Sequence, residues 1–356
     1  MRLLHITATH LNPAGGVPVV LKNLVEEQNK ITGFEARVLS LTAKVNNMDS
    51  IYFDILDKNT FKKYLEKYNP NVVILHSFFY MAYNNVVNEL VKMKIPYFIE
   101  PHGSFGNAAM HKSHLKKIIA NSTIFRKQIK CAKGFIFLNE SELEDSIYRT
   151  KNDLIIPNGI SIKDMNRQIT TTRKPFMYFI GRYDINHKGL DYLISALEIL
   201  EARKKNFKVV FWGNGEDDAI AGLKEKISLF KHVEVEFNGP IFGEDKDKEL
   251  EMCGPMLLTS RYEGFPMTIL EAWKYGNPCL VTPGTNVYKE ICKNKLGWGV
   301  DLNADSIANG IEKAIVDYEQ DRNNYITRCK DYVAKNYTWS SIAVNSLDKI
   351  RKVVGC

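Results

Sequence analysis

Arg261-Tyr262-Glu263-Gly264-Phe265-Pro266-Met267-Thr268-Ile269-Leu270-Glu271-Ala272 is the stretch on which the reading of this chain turns. It follows Met256–Ser260, whose Met-Leu-Leu core is continuously apolar, as in a strand covered on both faces. Glu263 then stands at the strand's carboxyl end, Gly264 makes the turn, and Pro266 is placed as the first residue of a helix. Such a helix begins with backbone N–H groups, near Met267 and Thr268, that have no carbonyl behind them and can meet an anion. Glu271 lies one turn further on, where a carboxylate can accept hydrogen bonds from a ribose diol.

Working outward, the same alternation of short apolar runs and helical patterns fills the chain. Strands are expected at Leu3–Thr7, Ala36–Leu41, Val72–His76, Tyr97–Glu100, Gly134–Leu138 and Leu154–Pro157. A second series follows at Phe176–Ile180, Lys208–Trp212, Val233–Phe237, Met256–Ser260, Cys279–Thr282 and Gly297–Val300. Helical spacers between them indicate βαβ units and mostly parallel sheets, an α/β fold. The polar stretch Ile160–Lys174 separates the two series and reads as a linker and hinge. Two Rossmann-like domains are therefore expected, over 1–165 and 166–338, facing across a cleft. A C-terminal helix within 339–356 would complete the first. Ligands of doubly wound sheets bind at the carboxyl ends of the strands.

Bulk properties narrow the class. The 356 residues are too many for one ordinary core, and 45% hydrophobic with 25% charged residues is the composition of a globular protein. No apolar run approaches a membrane span, and the N-terminal apolar run is too short for a signal peptide, so a cytoplasmic location is expected. The six cysteines form no Cys-x-x-Cys pair, which argues against a disulfide framework or a zinc site. The net charge of +7 is unevenly spread. Lys112, Lys116, Lys117, Arg126, Lys127, Lys130 and Lys133 form a run with no acidic residue. It reads either as a solvated helix face or as a patch for an anionic membrane or a pyrophosphate-bearing acceptor. Nucleic acid is disfavoured, because aromatic residues do not interleave with the run. Asp245-Lys246-Asp247 has the form of a metal-binding Asp-x-Asp, but it lies in a polar run that reads as an acidic first helical turn. No metal site is expected.

The segment Glu263-x7-Glu271 with Gly264-Phe265-Pro266 resembles the signature of the retaining family 4 glycosyltransferases, which adopt the GT-B fold. Other segments resemble the family in the same order: Gly15-Gly16, Pro101-His102-Gly103, Ile156-Pro157-Asn158-Gly159-Ile160, Gly181-Arg182 with Lys188-Gly189, Gly213-Asn214-Gly215 and Asn238-Gly239. The resemblance implies a nucleotide-sugar donor, UDP- or GDP-linked, and no metal or other cofactor. It implies that Arg182 and Lys188 neutralise the departing diphosphate, that Glu263 holds a donor-sugar hydroxyl, and that His102 lies near the reacting carbon. Glu271 would hold the ribose. Gly15, Gly16, Gly213, Asn238, Gly239, Gly264, Phe265, Pro266, Met267 and Thr268 would line the donor. Two departures stand out: the Arg182–Lys188 interval is one residue longer than the common form, and Thr282-Pro283-Gly284-Thr285-Asn286 replaces a Gly-Gly-x-Pro-Glu segment. Thr285 and Asn286 are nonetheless expected to face the donor.

The activity implied is transfer of a hexose-type sugar, with retention, to an acceptor hydroxyl. The departing phosphate oxygen would take the acceptor's proton. The basic run and the aromatic stretch Ser77–Tyr83 favour a lipid-linked saccharide in capsular, exopolysaccharide or lipopolysaccharide assembly, met at the inner membrane face. Rival readings are a non-catalytic nucleotide-sugar-binding subunit and a sugar-nucleotide epimerase. A dinucleotide-dependent dehydrogenase is disfavoured, since Gly15-Gly16 lacks the Gly-x-Gly-x-x-Gly spacing.

Overall fold

The computed structural model describes residues 1–8, 16–41, 50–52, 58–106, 123–162 and 176–355. The Gly15, Lys112, Lys116 and Lys117 positions and most of the expected linker lie outside them. The chain divides into two compact units, Met1–Gly159 with Thr338–Cys356, and Ile160–Tyr337. The division at Gly159/Ile160 precedes the 165/166 boundary read from the sequence.

Among the described residues, the first unit carries seven parallel strands: β1 (Arg2–Thr7), β2 (Glu35–Ser40), β3 (Ser50–Tyr52), β4 (Val72–His76), β5 (Tyr97–Glu100), β6 (Gly134–Phe137) and β7 (Leu154–Ile155). Their spatial order is β3-β2-β1-β4-β5-β6-β7. Every residue of β4, β5 and β6 is buried, which explains their unbroken apolar runs. β3 was not anticipated: three residues at a sheet edge give too little periodicity to read. An aromatic group fills one side of the core, with Phe78 4.8 Å from Phe105 and 5.3 Å from Phe125 between ring centroids. Within the aromatic stretch Ser77–Tyr83, Met81 is 68% exposed and Ser77, Phe79, Tyr80 and Ala82 are half-buried. Phe78 and Tyr83 are core residues, and Tyr83 Oη accepts from the Ala8 amide at 3.0 Å.

Among the described residues, the second unit has six parallel strands: β8 (Met177–Ile180), β9 (Phe207–Trp212), β10 (Val233–Asn238), β11 (Met256–Leu258), β12 (Cys279–Val281) and β13 (Gly297–Gly299), in the order β10-β9-β8-β11-β12-β13. β10 alternates buried and open positions, as an edge strand does, and its Glu234 and Glu236 are both held by Lys208 of β9, at 2.9 and 2.5 Å. The order reverses direction between β1 and β4 in one unit and between β8 and β11 in the other. At such a switch point, loops leaving adjacent strand ends diverge and open a crevice.

A long helical segment, Ala304–Asn336, kinks at Asp321 and ends the second unit. Thr338 then caps the final helix, Trp339–Val354, by accepting from the Ser341 amide. This helix packs against helix Gly16–Asn29 of the first unit. Lys349 Nζ donates to the Ile155 carbonyl at 2.6 Å. Gly159 permits the return of the chain, because a Cβ there would lie 2.7 Å from the Trp339 ring and 3.1 Å from its Cα. Gly159→Ala is expected to destabilise the first unit by about 1–3 kcal/mol, through overpacking against a backbone that cannot withdraw. A thermal melt unchanged from wild type would show that the helix does not need this close approach.

Candidate functional site

Three loops leave the carboxyl ends of β8, β9 and β10 and are knitted together. A Cβ on Gly213 would lie 1.9 Å from the Gly181 carbonyl oxygen, so the loops after β8 and β9 touch backbone to backbone. Tyr183 donates through its amide to the Asn214 carbonyl and through its hydroxyl to the Asn238 carbonyl, both at 2.7 Å. Gly213 and the Asn238 carbonyl thus hold the loops in place, while Asn238 and Gly239 themselves are exposed. Arg182 is also exposed, on the rim of a hollow of about 540 Å³ bordered by Asp184, Asn186, Asn214 and Glu216.

Asp184 caps the single helical turn Ile185–Lys188 by accepting from the His187 amide at 2.9 Å. Gly189 ends the turn in the left-handed region (φ 62°) and lies against the end of β11. A Cβ there would meet the Thr259 carbonyl oxygen at 2.1 Å. The turn is further tied down by Arg261, which makes a two-pronged bond to Asp191 (2.8 and 2.6 Å) and donates to the Asn186 carbonyl at 2.7 Å. The Arg261 bonds hold the Asp191 carboxyl below its ordinary range, although burial works against them. The result of this bracing is that Lys188 Nζ reaches Glu263 Oε1, which also accepts from Ser260 Oγ at 2.7 Å. Both ends of the pair are largely buried, the side chains retaining 14% and 11% exposure. His187 Nε2 donates to the Tyr262 carbonyl at 2.8 Å and stands 4.0 Å from Glu263 Oε2. Burial pushes His187 below its ordinary value, which keeps that imidazole neutral near pH 7.

Helix Met267–Lys274 starts one residue later than expected, with Pro266 as its N-cap residue. Gly264 links it to Glu263. Met267 and Thr268 are half-buried at its start, whereas Phe265 and Pro266 are buried. Phe265 packs toward Tyr337, 5.6 Å between centroids, so its place in the motif is structural. Glu271 accepts from Lys246 Nζ at 2.7 Å. That lysine is the middle residue of the Asp-x-Asp run, which lies in helix Gly243–Met252 as the polar pattern indicated. The expectation that Thr285 faces a ligand is corrected. Thr285 is fully buried and donates to the Thr282 carbonyl at 2.8 Å. Asn286 spends its amide on the Glu263 and Gly264 carbonyls, fixing the turn that carries Glu263.

In the first unit Gly16 opens helix Gly16–Asn29. Arg126, Lys127 and Lys130 are exposed on the short helix Arg126–Cys131. His102 follows β5 in the left-handed region (φ 48°), strained for a residue with a Cβ. Its neighbour Gly103 donates to Glu142 Oε1 at 2.6 Å, and Leu138 donates to Glu142 Oε2 at 2.6 Å. Around the His102 ring, His76 Nδ1 lies 3.3 Å from His102 Nε2 and 3.3 Å from Glu100 Oε2. Burial pushes His102 and His5 down to about 4 and His76 well below its ordinary value. Burial, followed by the nearby Glu142, pushes Glu100 up to about 8. These contacts are therefore hydrogen bonds between neutral groups, close though they come to ion-pair geometry. Among the described residues, His76, Glu100 and His102 are also the group whose ligand atoms lie close enough, within 4.8 Å, to hold a metal ion. The hydrogen bonds already account for their proximity.

The positions missed by sequence reading are Ser260, Arg261, Asp191, His187 and Lys246. Each acts through a partner distant in sequence or through a side chain beside a named motif residue. Cys131, Cys253, Cys279, Cys292 and Cys329 are not joined in disulfides.

The shifts predict a two-sided pH profile. Glu100, raised from 4.5 to about 8, makes the first unit lose stability as pH rises through that window. His5 and His102, lowered from 6.5 to about 4, make it lose stability as pH falls through theirs. Glu100→Gln should remove the alkaline limb, so its melting temperature gains on wild type between about pH 5 and about pH 9. Parallel profiles would show that Glu100 does not titrate abnormally.

Residues 161–331 match the family model of the group 1 glycosyl transferases. An uncharacterized glycosyltransferase of Methanocaldococcus jannaschii is 28% identical over 222 residues, 57% of this chain and 55% of that protein. The N,N'-diacetylbacillosaminyl-diphospho-undecaprenol alpha-1,3-N-acetylgalactosaminyltransferase of Campylobacter jejuni is 27% identical over 247 residues, 63% of this chain and 62% of that one. The chain thus spans little more than half the length of these curated relatives. Among solved structures, Anabaena HepE in complex with UDP superposes with a TM-score of 0.75 at 15% identity, covering 99% of this chain and 100% of that one. At that identity the likeness shows the fold, which is GT-B. Among the described residues, no helix is long and apolar enough to cross a membrane.

Proposed function

We propose that this chain, whose residues 161–331 match the group 1 glycosyl transferases, is one of them and moves a hexose-type sugar from a nucleoside diphosphate sugar to an acceptor hydroxyl with retention at the anomeric carbon. The observation that carries the reading is the braced Lys188–Glu263 pair at the β8/β11 switch point, with the helix at Met267 on the same loop. A cation and a carboxylate fixed at one spot suit a ligand that bears a diphosphate at one end and hydroxyls at the other. Lys188, Arg182 and the N–H groups of Met267 and Thr268 are assigned to the diphosphate, Glu263 to a sugar hydroxyl and Glu271 to the ribose. Fixed charge of this kind needs no reorganisation as the leaving group gains charge. It also supplies the role a metal would otherwise take. In the step itself the bond from the anomeric carbon to phosphate breaks and a bond to the acceptor oxygen forms. The acceptor's proton passes to the departing phosphate oxygen. His102 is assigned to the donor sugar on the strength of the family resemblance.

For the acceptor we propose a lipid-linked saccharide of surface-polysaccharide assembly. The activity named for the Campylobacter relative, with its diphospho-undecaprenol acceptor, supports it. So do Arg126, Lys127 and Lys130, exposed together beside Ile124, itself 45% exposed. Sedimentation with anionic vesicles should capture the protein, and Arg126→Glu with Lys127→Glu and Lys130→Glu should release it. Equal binding by both proteins, or none by wild type, would refute the membrane assignment.

The donor reading is tested by a thermal-shift and hydrolysis screen of UDP-, GDP- and ADP-sugars with and without EDTA. One donor should stabilise the protein and be hydrolysed slowly in either condition. Lys188→Ala should lower turnover by roughly 10²–10³-fold. Glu271→Ala should weaken donor binding roughly ten- to a hundredfold. If no donor or free nucleotide shifts the protein, a working donor site is excluded.

A further inference from the structure

A line of buried polar side chains runs from the final helix to His102, and its direction can be worked out atom by atom. Ser346, in helix Trp339–Val354, donates its one hydroxyl proton to the Ala343 carbonyl at 2.8 Å. Toward Gln28 its oxygen can then only accept, and Gln28 Nε2 donates to it at 3.4 Å. That turns Gln28 Oε1 toward His5 Nε2, 3.0 Å away, and an amide oxygen can only accept. His5 therefore carries its proton on Nε2. Being neutral, it offers Nδ1 as an acceptor to His76 Nε2 at 2.9 Å. His76 in turn carries its proton on Nε2 and offers Nδ1 to His102 Nε2 at 3.3 Å.

Glu100 preserves this order in its protonated form, the one that burial favours near pH 7. Protonated on Oε2, it points that proton at the His76 Nδ1 lone pair, 3.3 Å away, which it shares with His102 Nε2, and Oε1 faces His102 Nε2 at 3.6 Å as an acceptor. With the carboxyl proton on Oε2, the atoms facing His102 Nε2 are acceptors, so the proton of a neutral His102 belongs there. The rings of His5, His76 and His102 follow one another edge to edge, 27° and 26° from coplanar, with centroids 5.2 and 5.6 Å apart, as hydrogen bonds through the ring nitrogens require. His5, His76 and Gln28 have no exposed surface, and Ser346 retains 1%.

We infer that Ser346, Gln28, His5 and His76 are positioning residues that fix His102 as the Nε2–H tautomer, with Nδ1 left as a pure acceptor. The assignment rests on the donor-sugar role proposed for His102. For that role, the consequence is a ring that accepts a hydroxyl proton without delivering one. The final helix, which returns to the first unit after the second is complete, thereby sets the chemistry of a residue after β5.

The test is a long-range ¹⁵N–¹H correlation spectrum of the histidine-labelled full-length protein near pH 7, assigned with single His5→Gln, His76→Gln and His102→Gln variants. The expected pattern is a protonated Nε2 and a bare Nδ1 on all three rings. A His102 proton on Nδ1, or a doubly protonated ring, overturns the inference whether or not any donor is turned over. Ser346→Ala should then give mixed tautomers at His102, with kcat lower by roughly three- to tenfold and donor KM nearly unchanged. Ser346→Thr, which keeps the hydroxyl, should restore both. Tautomers and kcat unchanged in Ser346→Ala would show a structural chain with no hold on His102. If no donor is turned over at all, the functional reading fails separately, and the spectrum alone decides the chain.

Discussion

Lys188 and Glu263 stand 75 residues apart in sequence and meet because their loops leave adjacent parallel strands at a point where the sheet order reverses. A charged pair with little exposure loses hydration, and it is tolerable only when its geometry is imposed from outside. Here Arg261 clamps Asp191 and the Asn186 carbonyl, Gly189 lets the turn lie on the Thr259 backbone, and Ser260 and Asn286 hold the Glu263 side chain and main chain. The rest of the second unit's strand-end surface is organised by the same bracing. Arg182 precedes the clamped turn, and the helix carrying Glu271 follows the clamped glutamate.

The two units use opposite electrostatics at their strand ends. In the second, charges are paired and partly open: Lys188 with Glu263, Lys246 with Glu271 and Arg261 with Asp191. Such groups can exchange partners with a charged ligand at modest cost, because their alternatives are also ionic. In the first unit, three histidines and Glu100 are buried deeply enough to be neutral, and they hold one another through directional hydrogen bonds. A neutral network of this kind specifies orientation and tautomer more than it supplies charge. The strained backbone at His102 and the Glu142 bonds to its flanking turn belong to the same arrangement.

The strands were legible because parallel strands buried on both faces must be apolar throughout, as Val72-Val73-Ile74-Leu75 is. The strand–turn–helix around Glu263 was legible because its turn and cap residues are local. What escaped depends on contacts across the fold. Lys246 sits in a run that reads only as a polar helix start, and nothing in it points to Glu271. Arg261 lies beside Glu263, yet its partner Asp191 is 70 residues away. Phe265 and Thr285 were drawn into the site by adjacency, although each turns inward to fill the core. His5 and His76 sit in apolar strands and look like isolated substitutions until the sheet order sets β1 beside β4.

The central claim is that the β8/β11 strand ends hold a nucleoside diphosphate sugar by its diphosphate and ribose. A crystal structure with the donor selected by screening tests it most directly. The account predicts the diphosphate against Arg182, Lys188 and the amides of Met267 and Thr268, with the ribose hydroxyls on Glu271. A donor bound with its diphosphate away from Lys188, or its ribose away from Glu271, would contradict it.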